Sequence, residues 1–280
     1  MFCTKARTSA ALLAAAFLFA GLSCEKAETA LQGSSTLEIY LTDAPSDYQA
    51  LWIDIEQIMV TVSSDAPADS GWTGVPLTRP GLYNLSTLRN GRDTLLAAQH
   101  LPEGTVSKMR LVLGSDNRLV LKDGTVVPLD LPSDIRSGLD IPVHANLTRA
   151  ATGRLVLDFD ASRSVTATGS GYRFTPVIRS YEKGTLGDIE GVVLPDSAQA
   201  VVRAVDATDT LEAIPDTSGY FRIGGIKAGT YQLLFLADST SGYQNDTLEN
   251  MQVHTGGIIR LDTVRLSLRS QEKLADPKKN

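Results

Sequence analysis

The sequence predicts an all-β chain, in which two β-sandwich domains stand in tandem after a lipoprotein signal peptide. Three observations carry this prediction. Apolar and polar residues alternate with a period of two over most of the chain. Gly, Pro and Asn interrupt these segments at short intervals. The length of 280 residues, 42% of them apolar, is enough for two domains of ordinary size.

The overall charge argues against nucleic acid as a partner. Lys and Arg number 26 against 32 Asp and Glu, and no segment concentrates the basic residues. Nucleic-acid binding usually needs a clustered basic surface. The chain has only two Cys and three His, which is few for a thiolate zinc site or for a disulfide framework.

The first 23 residues are expected to be a signal peptide. Lys5 and Arg7 precede an apolar run at residues 10–22, and Cys24 follows that run. A basic start, a short apolar run and a small residue before the cleavage point are typical of secretory signals. The run is shorter than the roughly 20 apolar residues that span a bilayer, although a short membrane anchor is the alternative interpretation.

Cys24 determines the expected location. Gly21-Leu22-Ser23-Cys24 resembles a bacterial lipobox, in which the cysteine is acylated and becomes the first mature residue. The resemblance implies a lipid anchor at the cell envelope, at the outer membrane, with residues 24–33 as a tether. The alternative is a plain secretory signal, which would leave Cys24 as an unpaired thiol in an oxidising compartment. Loss of residues 1–23 would take the net charge from −6 to −8.

The first domain is predicted over residues 34–181. Leu37, Ile39 and Leu41 alternate with polar residues and predict a half-buried strand that ends at Asp43-Ala44-Pro45. In the next apolar run the alternation changes phase near Glu56-Gln57. This change indicates a β-bulge, because one extra residue exchanges the two faces of a strand.

Turn and helix signals complete the first domain. Asp123-Gly124 between two apolar runs predicts a β-hairpin. Residues 82–88 and 94–100 are the segments that resemble short helices.

A linker at residues 182–187 is expected to lead into a second, smaller β-sandwich at residues 188–268. In that domain Gly219 is predicted to close a tight turn before Phe221 and Ile223 enter the core. The charged segment 269–280 is expected to be a disordered tail.

Both domains resemble known families. The first resembles the bacterial envelope family named domain of unknown function 4382, which implies its fold and location and brings no activity. The residues that carry this resemblance are Leu41-Thr42-Asp43-Ala44-Pro45, Leu88-x-Asn90-Gly91, Leu101-Pro102-x-Gly104, Pro132-Ser133 with Ser137-Gly138, and Asp158-Phe159-Asp160-Ala161.

The second domain is similar to the carboxypeptidase regulatory-like, prealbumin-type sandwich. Its pattern is Asp-x-x-Gly-x-Phe-x-Ile followed by Ile-x-x-Gly-x-Tyr-x-Leu, between Asp216 and Leu233. These modules serve as spacers, stability domains and carbohydrate-binding-like folds, so the resemblance implies a fold and no peptidase activity.

The sequence contains no recognisable catalytic arrangement. His100, His144 and His254 are dispersed, and no metal-binding H-E-x-x-H, nucleophile elbow, P-loop or dinucleotide motif occurs. We therefore expect a protein that is not an enzyme, with its histidines at or near the surface.

Acidic residues form the remaining candidate site. Asp158 and Asp160 lie two apart on one predicted strand, and Asp54 and Glu56 on another, so each pair points to one face. If the strands are neighbours, the carboxylates could hold Ca²⁺, and Asp43 is a further candidate contact. Asp43 could equally serve only to end its strand. The alternative for the pairs is a solvated sheet face without a cofactor and with basic partners, namely Arg154, Lys108 or Arg110.

The expected function follows from these features. We expect a non-enzymatic, lipid-anchored cell-envelope protein that acts as a binding or scaffold module, with an envelope protein or a cell-surface polysaccharide as partner. The alternative is a carbohydrate-binding accessory lipoprotein of a glycan-use system. Trp52 and Trp72 are candidates for stacking on sugar rings, with core or rim packing as the other interpretation.

Overall fold

A computed structural model of the chain describes residues 34–63 and 71–269. The predicted signal peptide, Cys24 and the predicted tether lie outside the described residues, and so does the predicted tail from residue 270 onwards. The described part is nearly all β-strand, arranged as two sandwich-like domains, which confirms the all-β fold class. No helix in this part is both long and apolar enough to cross a membrane.

The first domain consists of thirteen strands and two short helices. The strands are β1 (Ser34–Ala44), β2 (Ala50–Ser63), β3 (Thr73–Val75), β4 (Gly81–Asn84), β5 (Thr94–Pro102), β6 (Gly104–Leu113), β7 (Arg118–Val120), β8 (Val126–Asp130), β9 (Leu139–Leu147), β10 (Thr152–Asp160), β11 (Val165–Thr168), β12 (Gly171–Phe174) and β13 (Ile178–Glu182). The helices are α1 (Ser133–Arg136) and α2 (Ala161–Ser164).

Two sheets face each other across the core of this domain. One has the order β13-β10-β1-β5, with β1 and β10 parallel. The other has the order β11-β12-β8-β7-β2-β6-β9, and β3 and β4 also pair with β2. Leu37, Ile39 and Leu41 of β1 are fully buried between the sheets, as their alternation predicts.

Local signals in the sequence locate several features correctly. The pairing of β2 with β6 changes register between Ile55 and Gln57, which is the predicted bulge. Asp123-Gly124 lies in the turn between the antiparallel strands β7 and β8, which confirms the predicted hairpin.

Of the two predicted helical segments, residues 94–100 are wrong, and residues 82–88 are helical only in part. Residues 94–100 belong to β5, which pairs with β1 and buries Leu96 and Ala97. Residues 82–88 contain the end of β4 and a short 3₁₀ turn at Leu85–Thr87. Pairing with a distant strand and burial outweigh local helical preference in both places.

The second domain is a smaller sandwich of two sheets. Its strands are β14 (Gly187–Leu194), β15 (Val201–Val205), β16 (Thr210–Ala213), β17 (Tyr220–Ile226), β18 (Gly229–Leu236), β19 (Asp246–Val253), β20 (Ile258–Arg260) and β21 (Val264–Arg265). One sheet has the order β17-β14-β20, with β21 also on β14, and the other has the order β16-β15-β18-β19. Phe221 and Phe235 meet edge to face in the core, with ring centroids 6.1 Å apart.

The connection between the domains is short. Strand β13 ends at Glu182 and β14 begins at Gly187, so only residues 183–186 lie between them. The predicted turn at Gly219 is present, because its N–H donates to the carbonyl of Asp216 at 2.8 Å before β17 begins.

Candidate functional site

The Asn90-Gly91 turn of the first domain holds the second domain in place. Asn90 adopts a left-handed conformation with φ of 55°, which asparagine tolerates better than most residues. Its Nδ2 donates to the carbonyl oxygens of Ile214 and Tyr220, at 3.2 and 3.4 Å, and its Oδ1 accepts from the N–H of Arg222 at 3.4 Å. A residue of the first domain's family motif is therefore the polar bridge to the second domain.

Two glycines allow the domains to approach closely. A Cβ atom at Gly91 would overlap the side chain of Arg222, and one at Gly225 would lie 2.8 Å from the ring of Tyr181. Both glycines have positive φ values, of 77° and 68°. Only glycine combines that backbone conformation with so little space.

A cleft with a volume of about 890 Å³ lies beside this contact, between the two domains. The first domain contributes the ends of β1 and β10, the strand β13 and the Asn90-Gly91 turn. The second domain contributes the 206–209 loop, part of β17 and the segment around Gly256 and Ile258. Clefts at domain boundaries are common ligand sites.

All basic side chains of the cleft are engaged in ion pairs. Arg179 pairs with Asp158, its direct neighbour across β10 and β13. The other three pairs are Lys183 with Asp93 at 2.5 Å, Arg222 with Asp188 at 2.5 Å, and Arg163 with Asp160 at 3.8 Å.

The cleft has an excess of acid. Within the described part of the chain, three acids that line it form no ion pair, whereas no lining base is left over. Those three acids are Asp43, Asp206 and Asp209. A fourth, Glu212, pairs with Arg203, which lies outside the cleft lining. The field in the cleft therefore favours cations over anions.

Asp43 is the most unusual of these acids. Its side chain lies at the end of β1, and only 5% of the residue is exposed. Oδ1 accepts from the N–H of Ala161 at 3.3 Å, while Oδ2 is buried without a hydrogen-bond partner among the described residues. Burial holds the pKa of Asp43 well above its usual range, and the nearby Asp158 carboxylate raises it further.

Asp158 is also buried, but it has a partner. Burial raises the pKa of this carboxyl, and Arg179 opposes the increase. Arg179 extends across the domain boundary, where it also donates to the carbonyl of Gly225 at 3.5 Å. The sequence does not identify Arg179 as the partner of Asp158, because only the register of β10 and β13 brings the two residues together.

The remaining predicted acids have local structural contacts. Asp160 caps α2, where its Oδ1 accepts from the N–H of Arg163 at 3.0 Å. Asp54 accepts from the N–H of Asp116 at 3.4 Å beside the turn after β6, and Glu56 is exposed at the bulge of β2.

The predicted meeting of four carboxylates does not occur. Asp54 and Glu56 lie on β2, whereas Asp158 and Asp160 lie on β10 in the opposite sheet. In residues 34–63 and 71–269, no three His, Cys, Asp or Glu side chains come close enough together to hold a metal ion. The four carboxylates therefore do not converge into one donor set of the kind that Ca²⁺ takes.

Two of the three basic partners suggested for the acidic pairs, Arg154 and Arg110, pair with other acids. Arg154 pairs with Glu38 at 3.0 Å, and Arg110 pairs with Asp140 at 2.5 Å. The face that carries Asp158 is covered by the second domain rather than open to solvent, which the sequence alone does not reveal.

Each tryptophan has an arginine against its ring. The guanidinium of Arg110 lies 4.4 Å from the ring centroid of Trp72, and that of Arg118 lies 5.9 Å from the centroid of Trp52. Both tryptophans are partly exposed.

The histidines are exposed, and none of the three is among the residues that line the cleft. His100, His144 and His254 lie in three separate places, and His100 contacts Thr36 through Nδ1 at 3.2 Å. In the described residues they do not meet a nucleophile and an acid as a catalytic unit would.

Comparison with known proteins identifies the family of the first domain. Residues 34–176 match the family described as a domain of unknown function, DUF4382. The chain belongs to this family. The DUF4382 region ends two residues before β13 begins, so it includes Asp43, Asn90 and Asp158.

Other comparisons return only distant likenesses. No curated protein matches the chain. Among solved structures, a type II cohesin-X-dockerin complex from Acetivibrio cellulolyticus is 23% identical over 29% of this chain and 58% of that chain, with a TM-score of 0.25. The minor pilin GBS52 of Streptococcus agalactiae is 10% identical over 86% of this chain and 99% of its own, with a TM-score of 0.24.

A carbohydrate-binding module of family CBM26 from Eubacterium rectale, in complex with maltoheptaose, is also among these structures. It is 9% identical over 85% of this chain and 98% of its own, with a TM-score of 0.22. The chain spans 58% of the length of the first two structures that it matches. Likenesses of this size carry no information about function.

Proposed function

We propose that the protein is a non-enzymatic, lipid-anchored module of the bacterial cell envelope that binds or organises a protein partner. The observation that carries this proposal is the docking of two β domains through Asn90, which leaves a polar cleft between them. The second domain serves as a carboxypeptidase regulatory-like module, in keeping with its sequence motif.

The docked arrangement suits a scaffold. A connection of four residues, 183–186, and the hydrogen bonds of Asn90 restrict the relative motion of the domains. A ligand surface that is already ordered loses less entropy when it binds. Both domains can then present one continuous surface to a partner.

The chemistry of the cleft suits binding rather than catalysis. Its bases are neutralised by ion pairs, and its lining contains no histidine or cysteine.

In this proposal, a lipid anchor at Cys24 holds the module at a membrane of the cell envelope, and that membrane is the outer one. Several acyl chains on one cysteine would anchor it stably. Cys24→Ala should release the protein from the membrane fraction, and Cys3→Ala is the matched control because Cys3 lies within the signal peptide. Membrane association of Cys24→Ala at the level of Cys3→Ala would contradict the anchor.

The binding role is tested by crosslinking in intact cells. The full-length protein should crosslink to a defined envelope protein, and purified partner and protein should then bind in solution. Screening the same protein against polysaccharides tests the alternative of a carbohydrate-binding accessory lipoprotein. Saturable binding of one glycan, with no protein partner, would replace our proposal by that alternative.

A further inference from the structure

We propose that the interdomain cleft binds a positively charged segment of a protein partner, with a Lys or Arg side chain that reaches Asp43. This inference rests on the proposed binding function and adds the site and the chemistry of the ligand. Three observations support it: the charge of the cleft, the unpaired oxygen of Asp43 and the covered aromatic rings.

The cleft has more acidic than basic side chains, and this excess favours a cationic ligand. Every base that lines it already has an acidic partner, while Asp43, Asp206 and Asp209 form no ion pair in the described part of the chain, and only the more distant Arg89 acts on Asp43. A segment that carries several positive charges is attracted by this excess, and a polyanion is repelled.

The Oδ2 of Asp43, unpaired within residues 34–63 and 71–269, is a second observation, which concerns hydrogen bonding rather than charge. Buried carboxylate oxygens nearly always have hydrogen-bond partners, yet Oδ2 of Asp43 has none among the described residues. Asp43 lines the cleft and is 95% buried, since 5% of it is exposed. A guanidinium or ammonium group of a ligand would supply the hydrogen-bond donor that Oδ2 lacks in the described part of the chain and would favour the charged form of the carboxyl group.

The aromatic rings near the cleft argue for a cationic peptide over a neutral sugar. Sugar rings usually stack on an open aromatic face. The ring of Tyr181 is covered by Gly225, and the ring of Tyr40 is covered by the Lys183 ammonium group, 4.0 Å from its centroid. Each ring therefore already has a protein group against it.

The 206–209 loop allows the charge to be removed without changing the fold. Oδ1 of Asp206 accepts from the N–H groups of Thr208 and Asp209, both at 2.7 Å, and Oδ1 of Asp209 accepts from the N–H of Thr210 at 2.9 Å. Asparagine retains an oxygen that accepts these bonds. Asp206→Asn with Asp209→Asn therefore removes two charges and keeps the turn.

The experiment is a calorimetric titration of the detergent-solubilised full-length protein with hexalysine. Hexaglutamate and maltoheptaose are titrated in parallel. The doubly substituted Asp206→Asn/Asp209→Asn variant should bind hexalysine about 25-fold more weakly, from roughly fivefold for each charge, and Asp43→Asn should lose about fivefold. The matched control is Asp246→Asn/Asp262→Asn, which removes two acids of the same domain outside the cleft lining and should change affinity less than about twofold.

Several results would overturn the inference. They are an absence of hexalysine binding, equal weakening by the control pair, or binding of maltoheptaose that the cleft substitutions abolish. The crosslinked partner of the full-length protein separates the two proposals. If its binding survives Asp206→Asn/Asp209→Asn, the cleft is not the site and the binding function stands. If no partner binds at all, the proposed function fails as well.

Discussion

Gly91 of the first domain lies directly against the side chain of Arg222 of the second, where a Cβ atom would overlap Cδ of the arginine. The same arginine pairs with Asp188 at 2.5 Å and donates its backbone N–H to Asn90. The turn that belongs to the first domain's family motif is thus shaped to fit the second domain. Substitutions at Gly91 therefore test whether this contact fixes the relative position of the two domains.

We expect Gly91→Ala to loosen the contact between the domains. Gly91 has φ of 77°, so alanine there costs about 1–2 kcal/mol of backbone strain, and its methyl group also displaces Arg222. Gly124→Ala is the matched control. Gly124 also has a positive φ, of 84°, but a Cβ atom added there would have no other atom within 4 Å. Only Gly91→Ala should speed tryptic cleavage after Lys183. Equal cleavage of both variants would contradict the role of the contact.

Arg179→Met should destabilise the protein by about 3 kcal/mol, because it leaves the buried Asp158 without its ionic partner. Adding Asp158→Asn should recover most of this loss. Arg154→Met is the control: its pair with Glu38 is exposed and should be worth less than about 1 kcal/mol. Urea unfolding measures the free energy of unfolding of all three variants. Equal losses for Arg179→Met and Arg154→Met would show that the buried pair stabilises the protein no more than the exposed pair does.

Asp43 should make stability depend on pH. Burial raises the pKa of Asp43 in the folded state well above the ordinary value of about 3.9. Its contribution to stability is therefore fully present below pH of about 3.9 and is lost as pH rises through the folded-state pKa, by up to about 1.4 kcal/mol per pH unit. Asp43→Asn should remove this decrease.

The measurement is the free energy of unfolding of both proteins from pH 4 to pH 8. The pKa of Asp158 is also raised by burial, so the wild-type decrease contains its contribution too. The difference between wild type and Asp43→Asn reports the titration of Asp43 together with its coupling to Asp158. Parallel pH profiles for the two proteins would refute the prediction.

Calcium should leave the melting temperature unchanged within about 1 °C at millimolar concentration. The acidic pairs lie in opposite sheets, and Asp158 is already paired with Arg179. A ligand stabilises a protein only when it binds the folded state more tightly. A clear rise in the melting temperature that EDTA reverses would contradict this expectation, and Asp54→Asn and Asp160→Asn would then show which strand carries the site.

The sequence by itself determined the features that depend on neighbouring residues. Alternation revealed the buried face of β1, a change of phase revealed the bulge at Glu56-Gln57, and Asp123-Gly124 marked a hairpin. In each case the physical cause is local, because side chains on a strand alternate between faces and turns select particular residues. The tertiary structure was not needed for these features.

Only the tertiary structure decided which distant residues meet. It made residues 94–100 a strand by pairing them with β1, and it paired Asp158 with Arg179 through the register of β10 and β13. It also joined Asn90 to Arg222, 132 residues later in the chain, and so created the cleft beside Asp43. Periodicity encodes which side of a strand is buried, but strand order and domain docking arise from contacts between residues far apart in sequence.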